Sequence, residues 1–225
     1  MAATSPRAIH AGTAKPSASS MLKIWGRTNS VNVKKALWAA EELGLKYERI
    51  DAGMQFGVNK TPEYLRMNPT GLVPTIEDDG CTLWESHTIV RYLAAKHGQG
   101  TLYPSDLKAR ADVERWMDWA FTFQSGMRPV FWGLIRTAPE KRDMKAIEEG
   151  RKRCIELLAV PEAALAGKKY VGGERFTMGD IPLGCEMQRW MRVPIERPAF
   201  ANVQAWFDRL CERPAFRKIV DVPLS

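Results

Sequence analysis

The sequence is short of the residues that most often announce a chemistry: of 225 residues, three are histidine and four are cysteine. His10, His87 and His97 have neither metal-ligand spacing nor the order of a catalytic triad, so none is assigned a role and no metal is expected. Cys81, Cys154, Cys185 and Cys211 lack CxxC or finger spacing, which favours free thiols in a reducing compartment and a cytoplasmic protein. No apolar run approaches the roughly 20 residues that span a bilayer, which argues against a membrane protein. Residues 1–20 hold no acid and no periodicity, and are rich in Ala, Ser and Thr. A disordered tail is expected there, with Met21 opening the first structured element.

What is present is a chain with 45% hydrophobic and 26% charged residues, enough to bury a core in one large domain or two small ones. Of the net charge of +7, Arg7 and Lys15 account for two, leaving +5 for residues 21–225. Those charges are interleaved with acids, as in Arg110-Ala-Asp-Val-Glu-Arg115, the pattern of solvated helix faces. Nucleic acid is therefore not expected as a partner, and a basic pocket for an acidic small molecule fits the charge as well.

The apolar pattern changes character near residue 105. Before it, Leu22–Trp25 reads as a strand and Val33–Gly44 as an amphipathic helix. Lys46–Asp51 is a second strand, Gly53–Lys60 a loop, and Thr61-Pro62 the start of a short helix. A third strand ends near Ile76, Asp78-Asp79-Gly80 turns into a fourth at Cys81–Trp84, and Glu85-Ser86 opens another helix. The order is βαβ followed by αββα, an α/β module over residues 21–100. From 107 to 225 the pattern is all helical: Leu107 to about Gln124, with Pro129 expected to kink or interrupt it; Lys141–Ala166; a third helix from Phe176; and Asn202–Arg213, closed by Pro214. Thr177 and Asp180 have capping-box spacing.

The turn Gly26–Asn32 joins strand to helix, and a helix N-terminus offers free N–H groups and partial positive charge to an anion or thiolate. Ser30 and Asn32 sit there, and either could instead be a plain N-cap.

With Trp25–Val33 as WGRxNSxNV, Val73-Pro74 before the third strand, and Trp84–Ala94 as WESxxIVRYLA, residues 21 to about 220 resemble the cytosolic glutathione S-transferases, and in detail their small bacterial members. The resemblance implies a thioredoxin-like first module, a helical substrate and dimer module, and a homodimeric detoxifying enzyme using glutathione as co-substrate. It implies that Ser30, backed by Asn32, meets the glutathione sulfur, with Thr28 as local competitor. It also implies a cis turn at Val73-Pro74 pairing with the cysteinyl unit, and Glu85 and Ser86 holding the γ-glutamyl end. Thr177 and Asp180 match a structural box. Leu72 departs from the lysine or polar residue of many members, and Arg27 could compensate. Arg128 and Arg136, eight residues apart, would clamp a carboxylate on the electrophile. Trp116, Trp119, Phe121 and Trp132 could line its pocket or belong to the core. Disulfide reduction, isomerisation, dehalogenation, or a non-catalytic adaptor role remain as alternatives.

Overall fold

The structure, a computed structural model, describes residues 21–225; the expectation for the tail, and His10, lie outside the described residues. Four strands form one sheet in the order β2-β1-β3-β4, with β1 (Leu22–Trp25), β2 (Tyr47–Ile50), β3 (Thr75–Asp78) and β4 (Cys81–Trp84). β1 runs parallel to β2 and antiparallel to β3, which pairs antiparallel with β4. The parallel pair is possible because α1 (Val31–Glu42) supplies the crossover. Gly26 makes the turn into it: at φ +153°, a Cβ there would lie 2.3 Å from a methyl of Val33.

α1 corrects the expectation of an amphipathic helix. Val31 and every residue from Val33 to Ala40 are buried, Lys34 and Lys35 included. The sheet, α3 (Ser86–His97), α6 (Asp180–Arg192) and α8 (Pro214–Ile219) all pack on it, so no face is left to water. Trp38 of α1 meets Phe216 of α8 with ring centroids 4.9 Å apart, and Arg213 donates to Glu42 at 2.8 Å. The two modules therefore share a core.

The loop after β2 holds two single 3-10 turns, followed by α2 (Pro62–Met67), capped by Thr61, whose hydroxyl accepts from Tyr64 N at 3.3 Å.

In the helical module, α4 (Leu107–Phe131) runs straight through Pro129. The expected interruption comes three residues later, as a π-helical turn over Trp132–Arg136. α5 (Met144–Ala164) lies close against this part of α4. A Cβ on Gly150 would stand 2.7 Å from the Pro129 ring and 2.8 Å from the Gly126 carbonyl. Pro214 does not close the chain's last helix: it follows α7 (Ala201–Cys211) and starts α8, at the first-turn position where proline costs no hydrogen bond.

The Thr177–Asp180 box is built as its spacing implies. The Asp180 carboxylate, fully buried, accepts from Thr177 N at 2.9 Å, Val171 N at 3.0 Å and Trp206 Nε1 at 2.9 Å. It ties α6 to α7 and to the loop before α6. All four cysteines are unpaired thiols, and burial pushes Cys154 and Cys185 up to about 12.

Candidate active site

A cleft of about 460 Å³ opens between the two modules. Its first wall is the turn into α1 and the loop before β3, contributing Arg27, Ser30, Asn32, Leu72 and Val73; its second is α4 and α6, with Phe121, Gln124, Arg128, Trp132 and Arg189.

Ser30 occupies the N-cap position of α1, yet its side chain makes no cap hydrogen bond. Its backbone does the local work: the carbonyl accepts from Lys34 N at 2.9 Å, and its own N–H donates to Arg27 O at 3.3 Å. The hydroxyl is thus left over from helix capping, on a residue only 7% exposed that lines the cleft. Asn32 is not the cap either, since its Oδ1 accepts from Lys35 Nζ at 3.0 Å. Thr28 is exposed and does not line the cleft.

The loop before β3 is held from below. Tyr64 Oη and Asn68 Nδ2 both donate to Leu72 O, at 2.6 and 3.0 Å, which fixes the backbone entering the cis Val73-Pro74 bond. Arg27 and Val73 both border Gly53, where a Cβ would lie 3.3 Å from Arg27 Nη1 and 3.4 Å from Val73 Cγ1. Leu72, 63% exposed at the rim, brings no charge. Across the β3–β4 ladder Trp84 pairs with Thr75, so Glu85 and Ser86 follow on the strand next to Pro74. Ser86 is buried at the start of α3, while Glu85 is exposed, makes no cap bond and sits at φ +71°. A non-glycine residue in that region costs on the order of 1–3 kcal/mol and persists only where the surroundings impose it.

Electrostatically the cleft is positive. Arg27 is held below its usual value by burial and then by Arg136 and Arg189; burial also lowers Arg136 and Arg189. Arg27 Nε and Arg136 Nε are buried without a hydrogen-bond partner among the described residues. The pair expected from spacing is regrouped. Arg128 is exposed and lines the cleft, whereas Arg136, carried away by the π turn, reaches Asn29 O at 3.4 Å and Met54 Sδ at 3.2 Å. The regular helical spacing between the two is broken by that turn. The aromatic residues divide likewise: Phe121 and Trp132 line the cleft, while Trp116 and Trp119 pack on each other and line a separate groove with Val160.

Three cleft features escaped sequence reading: Gln124, Arg189 and the buried group behind them. Arg189 Nη1 stands 3.7 Å from Glu186 Oε2 on the same helix. The available signal was Glu186 and Arg189 three residues apart, the spacing of an ion pair on one helix face, since charges are seldom fully buried unless paired.

A strand-to-helix turn presenting an uncommitted hydroxyl, a strand-entry loop beside a cis proline, and a helical wall define a thioredoxin-like module joined to an all-helical one. Comparison gives the same class: the model of the glutathione S-transferase N-terminal domain matches residues 20–95, and that of the C-terminal domain residues 117–214. The chain belongs to the glutathione S-transferase family and is an enzyme of that family. It is 45% identical to glutathione S-transferase GstB of Escherichia coli (strain K12), over 91% of this chain and all of that one. It superposes on the theta class glutathione S-transferase of the citrus canker pathogen Xanthomonas axonopodis pv. citri, solved with glutathione bound, with TM-score 0.88 and 48% identity, covering 91% of this chain and 99% of that one. A rice relative, probable glutathione S-transferase GSTF2 of Oryza sativa subsp. japonica, is 30% identical over 89% of this chain and 96% of its own.

Proposed function

We propose that the protein, a homodimer of the small bacterial WGRxNSxNV type, conjugates glutathione through its thiolate to a small electrophile bearing a carboxylate. The observation that carries this reading is the Ser30 hydroxyl, which lines the cleft at the start of α1 without capping it. A free thiol of pKa about 8.5 is a few per cent thiolate at neutral pH, and lowering that value by two units takes about 2.7 kcal/mol. A hydrogen bond to the charged sulfur contributes roughly 1.5–3 kcal/mol and the helix N-terminus roughly 0.3–1. Ser30, Asn32 and the α1 terminus supply both.

In this reading Val73 pairs its backbone with the cysteinyl unit, Pro74 fixes that turn, and Arg27 beside it takes the glycyl carboxylate in place of the uncharged Leu72. Glu85 binds the γ-glutamyl ammonium, and Ser86 with the α3 terminus binds its carboxylate. The thiolate attacks the electrophile's carbon, the leaving group departs with the bonding pair, and Arg128, with the charge of Arg136 and Arg189 behind it, holds the electrophile's anionic group. Phe121 and Trp132 cover its apolar part.

Retention on immobilised glutathione, with elution by free glutathione, tests the binding half. The ultraviolet thiolate band of bound glutathione should then vanish in Ser30→Ala; an unchanged band would move the role to another group.

A further inference from the structure

Asn32 has two chemically opposite ends, and one side chain decides which of them faces the cleft. Lys35 Nζ lies 3.0 Å from Asn32 Oδ1, 3.1 Å from His87 Nε2 and 3.7 Å from Glu186 Oε1. An ammonium has three donors and no acceptor, so the atom it meets on Asn32 must be the amide oxygen, and the one on His87 the ring lone pair. The Asn32 NH2 group is then the end left for a ligand in the cleft.

The arrangement is buried and shared between modules. Lys35 is 1% and Glu186 0% exposed, a pair that joins α1 to α6. His87 of α3 is stacked on Phe121 of α4, their centroids 3.9 Å apart. Glu186 Oε1 also accepts from Gln124 Nε2 at 2.7 Å. Burial lowers Lys35 from its usual value and Glu186 opposes that fall. A lone lysine here would merely be an expensive buried charge, whereas this one has two hydrogen-bond acceptors and a carboxylate 3.7 Å away.

We propose that Lys35 is a positioning residue for thiol activation: held by His87 and Glu186, its ammonium locks the Asn32 amide with the NH2 end toward the glutathione sulfur. This rests on Asn32 supporting the thiolate, as proposed above. Without Lys35 the amide can rotate and offer its oxygen, which repels a thiolate. The bound thiol should then rise by about one pKa unit, a tenfold smaller ionisation constant, which from a pKa of about 6.5 is roughly a threefold smaller thiolate fraction at pH 7.

The test is a double-mutant cycle read by ultraviolet titration of enzyme-bound glutathione, using Asn32→Ala, Lys35→Met with Glu186→Gln, and all three together. Pairing Lys35→Met with Glu186→Gln removes both charges of the buried pair, Glu186→Gln alone is the control for the contact Glu186 also makes with Arg189, and circular dichroism checks folding. The proposal expects each arm to raise the thiol pKa by about one unit and the combination to add little more. If the Lys35→Met/Glu186→Gln protein melts earlier but titrates as the parent does, or if the arms add fully, Lys35 is structural and the proposal fails. If Asn32→Ala alone leaves the titration unchanged, the underlying assignment of Asn32 is wrong, and the proposal goes with it. Asn32→Asp, which keeps the Lys35 contact but puts oxygen at both ends, should raise the thiol pKa further than Asn32→Ala; an equal or smaller rise also overturns it.

Discussion

The Arg189 guanidinium lies 3.8 Å from the centroid of the Phe131 ring, and its Nη1 stands 3.7 Å from Glu186. A ring of α4 and a carboxylate one turn earlier on α6 thus fix a charge at the cleft wall. Arg189→Met keeps the stem on the ring and removes the charge. The KM for a carboxylate-bearing electrophile should rise about tenfold, against less than twofold for a neutral one, as loss of a charge-assisted contact predicts. Equal effects on both substrates would remove the anion-holding role.

Glu85 combines a strained backbone with the binding role proposed above, so Glu85→Gly should separate them. Relief of φ +71° should stabilise the protein by about 1 kcal/mol, or roughly 2–4 °C in Tm, while glutathione binding weakens. Calorimetry beside glutathione KM measures both; a fall in Tm would contradict the strain assignment.

Asp180→Asn replaces an acceptor of three N–H groups by an amide whose NH2 end meets donors. Destabilisation of about 3 kcal/mol is expected, with kcat of the folded fraction unchanged. Urea midpoints and active-site titration give the two numbers.

His87 is pushed down to about 2, first by burial and then by Lys35 and Arg91. The unfolded chain, with histidine near 6.5, binds the extra proton between those values, so the contribution of His87 to stability is full above about pH 6.5 and falls with acid. Below pH 6 the slope is about 1.4 kcal/mol per pH unit. In His87→Asn, which keeps an acceptor for Lys35, that part of the acid limb should flatten in urea denaturation followed between pH 6.5 and 4.5. An unaltered slope would assign the limb to other groups.

The sheet and its connections were legible because each strand of four residues is bounded by a turn signal: Gly26, Pro74, Asp79-Gly80 and Glu85-Ser86. Ser30 and Asn32 were legible as a pair but not as alternatives, because only the geometry of the cap separates an engaged hydroxyl from a free one. The placement of Arg136 against Asn29 and Met54 could not be read from its spacing to Arg128, because a π turn leaves no mark in spacing. Lys35 and Glu186 lie 151 positions apart, and each looks like an ordinary surface charge until the helices carrying them are packed together. Burial of α1 on every side is a property of α6 and α8, not of its own periodicity.

That dependence has a consequence in time. Glu42 and Arg213, which bind each other, are 171 positions apart. At about 5–20 residues per second, α1 leaves the ribosome roughly 10–30 s before α8 exists to cover it. For that interval Lys34, Lys35 and Trp38 are a wet, half-made surface, and the turn into α1 has a strand behind it but no wall before it. The cleft between the α1 turn and α6 is therefore complete only once residues 180–192 have been made and packed.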